Sequence, residues 1–312
     1  MPNEFEIKRE LLNERADLQA RLNLLPYDGT PEIKENASGK YLYMRKRTLG
    51  RLSSTYIGVY SDELYNLLLR NETEAKSIRR QIRQIDKKLA LLGYSAGELS
   101  PRVIQNIDFA RINMKTNIYD QAVLEGVATT FPQTSEIIDN GIVYGMRPSD
   151  IQKILNLKHA WEFILDKDVV ASKTDYYLLC HIARLVNEGL LIDGGRIRGV
   201  PVKIGGTTYI PPLPIEIDVK DKIQKIVEED RPDIDKAIEL CLYCMKTQIF
   251  LDGNKRAAVI FVNHYLISRG GGLIVIPEKE VSDFKKLLVS YYEGKDIKNI
   301  TKFMEEKCWQ IF

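Results

Sequence analysis

Cysteine is scarce: Cys180, Cys241, Cys244 and Cys308 are the only four in 312 residues. They are too few and too scattered for a disulfide framework in a chain of this length, so reduced thiols are expected. Long apolar runs are missing as well, and none approaches the roughly 18 to 20 residues that a membrane-spanning helix needs. The opening MPNEFEIKRE alternates charged and apolar residues and lacks the basic-then-apolar order of a secretory signal. A cytoplasmic protein without a membrane partner is the resulting expectation. An excess of one charge is lacking too, since 45 Lys and Arg stand against 43 Asp and Glu. No global pull toward nucleic acid follows, and any basic surface must be local. Histidine is rare: His159, His181 and His264 lie in expected helices with no motif around them, which makes structural roles the expectation.

What is present is the composition of an ordinary globular protein, 44% hydrophobic and 28% charged, long enough for one large or two smaller domains. In residues 4–24, Leu11, Leu12, Leu18 and Leu22 recur near helical period among charges, and the turn dipeptide Asp28-Gly29 ends that helix. Residues 40–60, KYLYMRKRTLGRLSSTYIGVY, are β-branched and aromatic on either side of Leu49-Gly50, which predicts a two-stranded hairpin. Helical spacing returns through Leu64, Leu67, Leu68, Ile78, Ile82, Ile85 and Leu89 until Gly93. Residues 1–100 therefore read as a helical hairpin with a small β-hairpin at its tip.

No acidic residue occurs from 36 to 61, where Lys40, Arg45, Lys46, Arg47 and Arg51 are interleaved with Tyr41, Tyr43, Tyr56 and Tyr60. Basic and aromatic side chains in alternation suit a phosphate backbone and stacked bases. Tyrosines along a hairpin also serve plain packing, so nucleic acid, a partner protein and structure all stay open for 36–61.

After the small-residue linker 95–101 the chain is mainly helical, with helices expected near 102–113, 118–126, 148–165, 175–189, 219–228, 233–248, 255–269 and 278–292. The exception is residues 196–217, RIRGVPVKIGGTTYIPPLPIEI, broken at Gly205-Gly206 and closed by Pro211-Pro212, which reads as a β-hairpin flap. Cys241 and Cys244 have CxxC spacing, but inside an expected helix and without a second pair, so packing is expected of them.

Residues 248–256, QIFLDGNKR, place a small polar turn before an apolar helix. Gly253 and Asn254 tolerate positive φ, and successive N–H groups opening a helix form a nest for an anion. Arg256 adds a possible bidentate grip on phosphate, and Asp252 a hard oxygen for magnesium.

This stretch resembles the signature loop of Fic-domain proteins, His-x-Phe-x-(Asp/Glu)-Gly-Asn-(Gly/Lys)-Arg, at every position except the histidine, where Gln248 stands. The segment VKIGGTTYIPP is similar to the Fic flap, and Leu124-Glu125-Gly126 with Thr129-Thr130 is similar to an N-terminal inhibitory helix. The resemblance covers roughly residues 110–300 and implies a mainly α Fic fold over 101–312, a helical bundle with a β-hairpin flap. It implies transfer of AMP from ATP, or a related nucleotide, to a hydroxyl of a target protein, with Mg as cofactor. By matching position, Phe250, Gly253, Asn254, Lys255 and Arg256 would hold the nucleotide and Asp252 the magnesium. Lys203, Ile204, Gly205, Gly206, Thr207 and Thr208 would dock the target, and Glu125 with Gly126 would regulate.

Gln248 departs from the family at the residue that takes the proton, because a carboxamide accepts none near neutral pH. The family's second arginine is replaced by Val259, and Gln121 occupies the usual serine or threonine position of the inhibitory helix. Arg256 is then the remaining partner for Glu125. Two functions follow: a nucleotidyltransferase with weakened or altered chemistry, or a catalytically inactive nucleotide-sensing protein whose first hundred residues bind protein or nucleic acid.

Overall fold

The computed structural model describes residues 4–27, 29–48, 51–95, 97–140, 145–295 and 297–312. The chain divides into two compact units, Met1–Ser95 and Ala96–Phe312.

In the first unit, helices α1 (Glu4–Leu24) and α2 (Asp62–Leu91) pack along their leucine and isoleucine stripes. Leu18, Ile78, Ile85 and Leu89 are buried there, with Leu11, Leu12, Leu22 and Ile82 around them. Ser61 caps α2 by accepting a hydrogen bond from the Leu64 amide at 3.1 Å, and Asp62 and Glu63 favour the positive helix start. Between the helices lies an antiparallel sheet of three strands, β1 (Thr30–Asn36), β2 (Gly39–Thr48) and β3 (Arg51–Val59), in the order β1-β2-β3. The expected hairpin is thus its second half, and its Leu49-Gly50 turn lies outside the described residues. The first strand escapes a reading by pattern because TPEIKEN carries a proline and three charges. As an edge strand it tolerates Pro31, which has no N–H to donate. One sheet face packs on α2 through Leu42, Met44 and Leu68.

The second unit is built from α3 (Pro101–Ile112), α4 (Met114–Leu124), α5 (Phe131–Asn140), α6 (Pro148–Ile164), α7 (Lys167–Val170), α8 (Tyr176–Val186), α9 (Glu216–Glu228), α10 (Asp233–Thr247) and α11 (Asn254–Ile267). It continues through β4 (Leu273–Ile274), α12 (Val281–Tyr292), α13 (Ile297–Lys307) and β5 (Trp309–Gln310), the two short strands pairing antiparallel. Helix α11 is buried on every side from Ala257 to Ile267, as expected of a helix apolar all round. It packs against α10, α8, α6 and α3. Cys241 and Cys244 of α10 are buried, and burial pushes both thiols up, to about 12 for Cys244. They remain protonated packing groups. His264 is buried between the Thr174 hydroxyl at 3.0 Å and the Val169 carbonyl at 2.7 Å, His159 faces Glu188, and His181 stacks on Phe163.

The flap is corrected by the structure. Residues 196–217 contain no strand apart from the expected turn at Gly205-Gly206, and α9 begins at Glu216. Pro201, Pro211, Pro212 and Pro214 have no amide hydrogen for a ladder. The buried Arg198 guanidinium also takes the carbonyls of Val200, Pro211 and Pro212. Side-chain bonds hold this loop where a ladder was expected. Among the described residues, no helix is long and apolar enough to cross a membrane.

Candidate nucleotide site

Helix α10 does not end on glycine. Gln248 follows it at φ 51°, ψ 60°, and is the one non-glycine residue with positive φ among those described. Such a backbone is strained for a residue with a Cβ, so local contacts must hold it. They are all present. Arg198 donates to the Gln248 carbonyl and bonds the Ile249 carbonyl through its own amide at 2.9 Å. The Gln248 side chain donates through Nε2 to the Met245 carbonyl at 2.6 Å and accepts through Oε1 from Asn254 Nδ2 at 3.2 Å.

Asn254 closes the loop from the other side. Its Oδ1 accepts from the Phe250 amide at 2.9 Å and its Nδ2 donates to the Phe250 carbonyl at 2.8 Å. Phe250 is buried below, so the loop is anchored to the core. Gly253 takes φ 76°, and a Cβ there would lie 2.8 Å from Asn187 Nδ2. Glycine is required twice over, for the left-handed backbone and for the close approach of Asn187.

The loop leads into α11, whose first amides have no acceptor within the helix. Asp252 lies above them with a 60% exposed side chain, one oxygen accepting from the Gly253 amide at 2.7 Å and the other 3.2 Å from Arg256 Nη2. Lys255 is partly exposed beside them. Arg256, however, is only 1% exposed and points inward. Its Nη1 donates to the Val186 carbonyl at 2.6 Å and its Nη2 to Asn187 Oδ1 at 3.3 Å. A phosphate in front of the loop therefore meets Lys255 and the helix amides before it meets Arg256.

Glu125 occupies the remaining side. It follows α4 as its C-cap, so the helix runs 114–124 where 118–126 was expected, and the dipole of α4 works against the carboxylate. Its favourable surroundings come from α11: Oε2 lies 3.4 Å from Arg256 Nε and Oε1 lies 3.6 Å from Lys255 Nζ. Gln121, one turn earlier, ties α4 to the site by donating to the Arg256 carbonyl at 2.9 Å and accepting from the Trp161 indole at 3.2 Å. Gly126 follows at φ 78° and turns the chain away.

Lys203, Ile204, Gly205, Gly206, Thr207 and Thr208 form the tip of the loop whose base Arg198 fastens to Gln248. Thr207 bonds Glu293 at 3.1 Å, and Tyr209 stacks on Tyr292. Reading the sequence misses Asn187 and Arg198. Asn187 donates to the Ala183, Gly194 and Asp252 carbonyls, and it looks like an ordinary helix-stop residue before Gly189. Arg198 looks like a surface charge in a loop, because nothing local shows the carbonyls that surround it.

The donor set fits a phosphate ligand and one magnesium ion. A single exposed carboxylate suits magnesium, which keeps waters and shares its remaining positions with phosphates. The unpaired first amides of α11 suit an anion. Buried Glu125 Oε1 and Arg256 Nε make no hydrogen bond, so the closed side of the site has unused polar capacity.

Residues 173–266 match the model of the Fic/DOC family, and residues 4–66 match that of a domain of unknown function, DUF6788. No curated protein matches the chain. Among solved structures, Fic-1 of C. elegans (residues 134–508) is similar with a TM-score of 0.56 at 18% identity, over 79% of this chain and 74% of that one. A Fic domain containing signaling protein from Bacteroides thetaiotaomicron has a TM-score of 0.52 at 17% identity, over 68% and 86% of the two chains. A Fic family protein from Desulfovibrio desulfuricans has a TM-score of 0.52 at 17% identity, over 68% and 73%.

Proposed function

Because this chain is a Fic-domain protein, with the family's domain at residues 173–266, we propose that its 248–256 loop binds ATP or a related nucleotide with Mg. In this reading the α11 amides, Asn254 and Lys255 receive the phosphates. Asp252 would hold magnesium, which when bound would neutralise phosphate charge. Transfer of AMP to a hydroxyl of a target protein is weakened, and the observation that carries this is the Gln248 amide.

For AMP transfer, a hydroxyl oxygen bonds to the α-phosphorus, the bond to the leaving pyrophosphate breaks, and the hydroxyl proton must depart. Gln248 stands where the family's histidine would take that proton. Its oxygen accepts from Asn254 and its nitrogen donates to Met245, and neither atom binds a proton near neutral pH. None of the three histidines substitutes, since His264 is fully engaged in the core and His159 and His181 contact Glu188 and Phe163. Loss of a positioned base slows such a step by about 10² to 10⁴.

Glu125 keeps the site closed in this reading. It sits against Arg256 and Lys255 at the helix end that favours anions, where a terminal phosphate would compete with it. The loop 203–208 would receive the target segment beside the nucleotide.

The test compares the chain with Gln248→His, each in a Glu125→Gly background. Label transferred from ATP with magnesium is followed on gels and by intact mass, and nucleotide affinity by calorimetry. Equal nucleotide binding with labelling only by the histidine form supports the proposal. Labelling by the glutamine form at the same rate sinks the argument about the base, and absence of nucleotide binding sinks the site.

A further inference from the structure

The two edges of the three-stranded sheet in the first unit are not alike. β1 is blunted: Pro31 lacks an N–H, and Glu32, Lys34 and Glu35 put charge along it. β3 carries no such protection. From Leu52 to Val59 it reads LSSTYIGV, with no charge and no proline. Among the described residues it pairs with β2 alone, so the amides and carbonyls on its other side have no backbone partner. Ser53, Ser54 and Thr55 are exposed, and Leu52, Tyr56 and Val59 are 60%, 52% and 65% exposed. An uncharged open edge of this length is a template for another strand.

The residues along that edge select a second copy of the same strand. Leu42 and Met44 face α2, so Tyr43 and Arg45 face away, and the register puts Tyr56 and Ser54 opposite them. Leu52 shares that outer face by alternation. Two β3 strands running antiparallel about a two-fold axis at Ser54 set Leu52 of each against Tyr56 of the other, and Ser53 against Thr55. Every side chain so paired is uncharged, and two large apolar groups left exposed in one chain pack side by side. Ser54 Oγ keeps its bonds to Lys34 Nζ at 3.1 Å and Glu32 Oε2 at 3.3 Å, which lie toward its own β1. The pairing also closes. With β3 joined to β3, both outer edges of the enlarged sheet are the blunted β1, so a dimer forms and no filament follows. A preformed strand avoids the ordering cost that a disordered peptide would carry.

We propose that the chain self-associates through β3 into a two-fold dimer, with one antiparallel sheet in the order β1-β2-β3-β3-β2-β1 and Leu52 of each copy beside Tyr56 of the other. The rings of Tyr41, Tyr43 and Tyr56, with centroids 6.2 Å apart for Tyr41 and Tyr56 and 5.5 Å for Tyr43 and Tyr56, then lie on the same face of that sheet in both copies. The enlarged sheet thus gives a use to aromatic side chains on a face that would ordinarily be polar.

Sedimentation velocity of the full chain across a concentration series tests this. The parent should shift from monomer to dimer as concentration rises. Leu52→Lys with Tyr56→Lys should weaken association at least about tenfold, because the dimer would then set like charges directly opposite. Leu52→Glu with Tyr56→Glu should do the same, and an equimolar mixture of the two double variants should restore the dimer. Ser54→Cys should cross-link through a disulfide under mild oxidation, since opposed residues of an antiparallel pair lie within bridging distance. Val59→Cys, about 30 Å from its counterpart, should not. A parent that stays monomeric at every concentration, a dimer indifferent to the charged variants, double variants that fail to associate when mixed, or equal cross-linking at 54 and 59 each overturns the proposal.

Discussion

Glu125 and Arg256 face each other inside the protein, Oε2 3.4 Å from Nε, with side chains 10% and 1% exposed. Arg256 also touches Asp252, Asn187 and the Val186 carbonyl, so one guanidinium joins the end of α4, the loop and the end of α8.

Removing the carboxylate should therefore act in two directions. Glu125→Gln leaves a buried guanidinium with less compensation, and about 3 kcal/mol of stability should be lost, at the low end for a broken buried pair because three other contacts remain. The same change removes the competitor for phosphate, so affinity for Mg-ATP should rise about tenfold, equivalent to about 1.4 kcal/mol. Urea unfolding and calorimetry on the same preparation read both. Loss of stability with unchanged affinity would show a purely structural pair.

Gly253→Ala should damage the loop more than its size suggests. The left-handed backbone alone costs about 1 to 2 kcal/mol for a residue with a Cβ. The added carbon would also displace Asn187, which bonds both the Asp252 carbonyl and Arg256. Trp161 and Trp309 both lie in the second unit, so tryptophan fluorescence in urea reports on that unit. A midpoint unchanged from the parent would contradict this account.

Arg198→Ala should loosen the 200–212 loop and the end of α10 together. It would strip donors from the carbonyls of Val200, Pro211, Pro212 and Gln248. At roughly 1 kcal/mol per abandoned buried acceptor, about 4 kcal/mol should be lost. Amide exchange should accelerate in both segments at once. Arg198→Lys should rescue only part, since an ammonium has three donors and no planar fork. Faster exchange in the 200–212 loop alone would show that Arg198 does not couple the two.

His264 should make stability depend on pH. Burial lowers its pKa from the ordinary 6.5 to about 4 in the folded protein. The unfolded chain then binds more protons between those values, so stability rises with pH across this window. The contribution is complete above about pH 6.5 and is lost as pH falls toward 4, a change on the order of 3 kcal/mol for a shift of that size. His264→Gln should flatten that part of a stability profile measured by urea titration from pH 4 to 7. An unchanged slope would place the dependence on other groups.

Much of the architecture follows from local chemistry. The helical stripes of α1, α2, α6, α10 and α11 bury one side or all sides because their apolar spacing leaves no other arrangement. The turn opens α11 because Gly253 accepts the left-handed backbone, while Asn254 begins the helix and closes the loop through its side chain on Phe250. The substitution at position 248 is visible in a single letter, and the absence of a proton acceptor there follows from the chemistry of an amide.

Other features were decided only by tertiary contact. The flap reads as a hairpin by its glycine and proline spacing, yet it is a loop because its prolines have no amide hydrogens for a ladder and the Arg198 guanidinium gathers the carbonyls of Val200, Pro211 and Pro212. Strand β1 has a poor strand sequence and forms because β2 offers it an edge. Arg256 reads as a hand extended to phosphate, and it lies buried because Glu125, Asn187 and Val186 arrive from 131, 69 and 70 residues away along the chain. A sequence pattern reports what each residue prefers within a turn or two. Which oxygen finally meets which guanidinium depends on segments far apart in the chain, and only the folded structure brings them together.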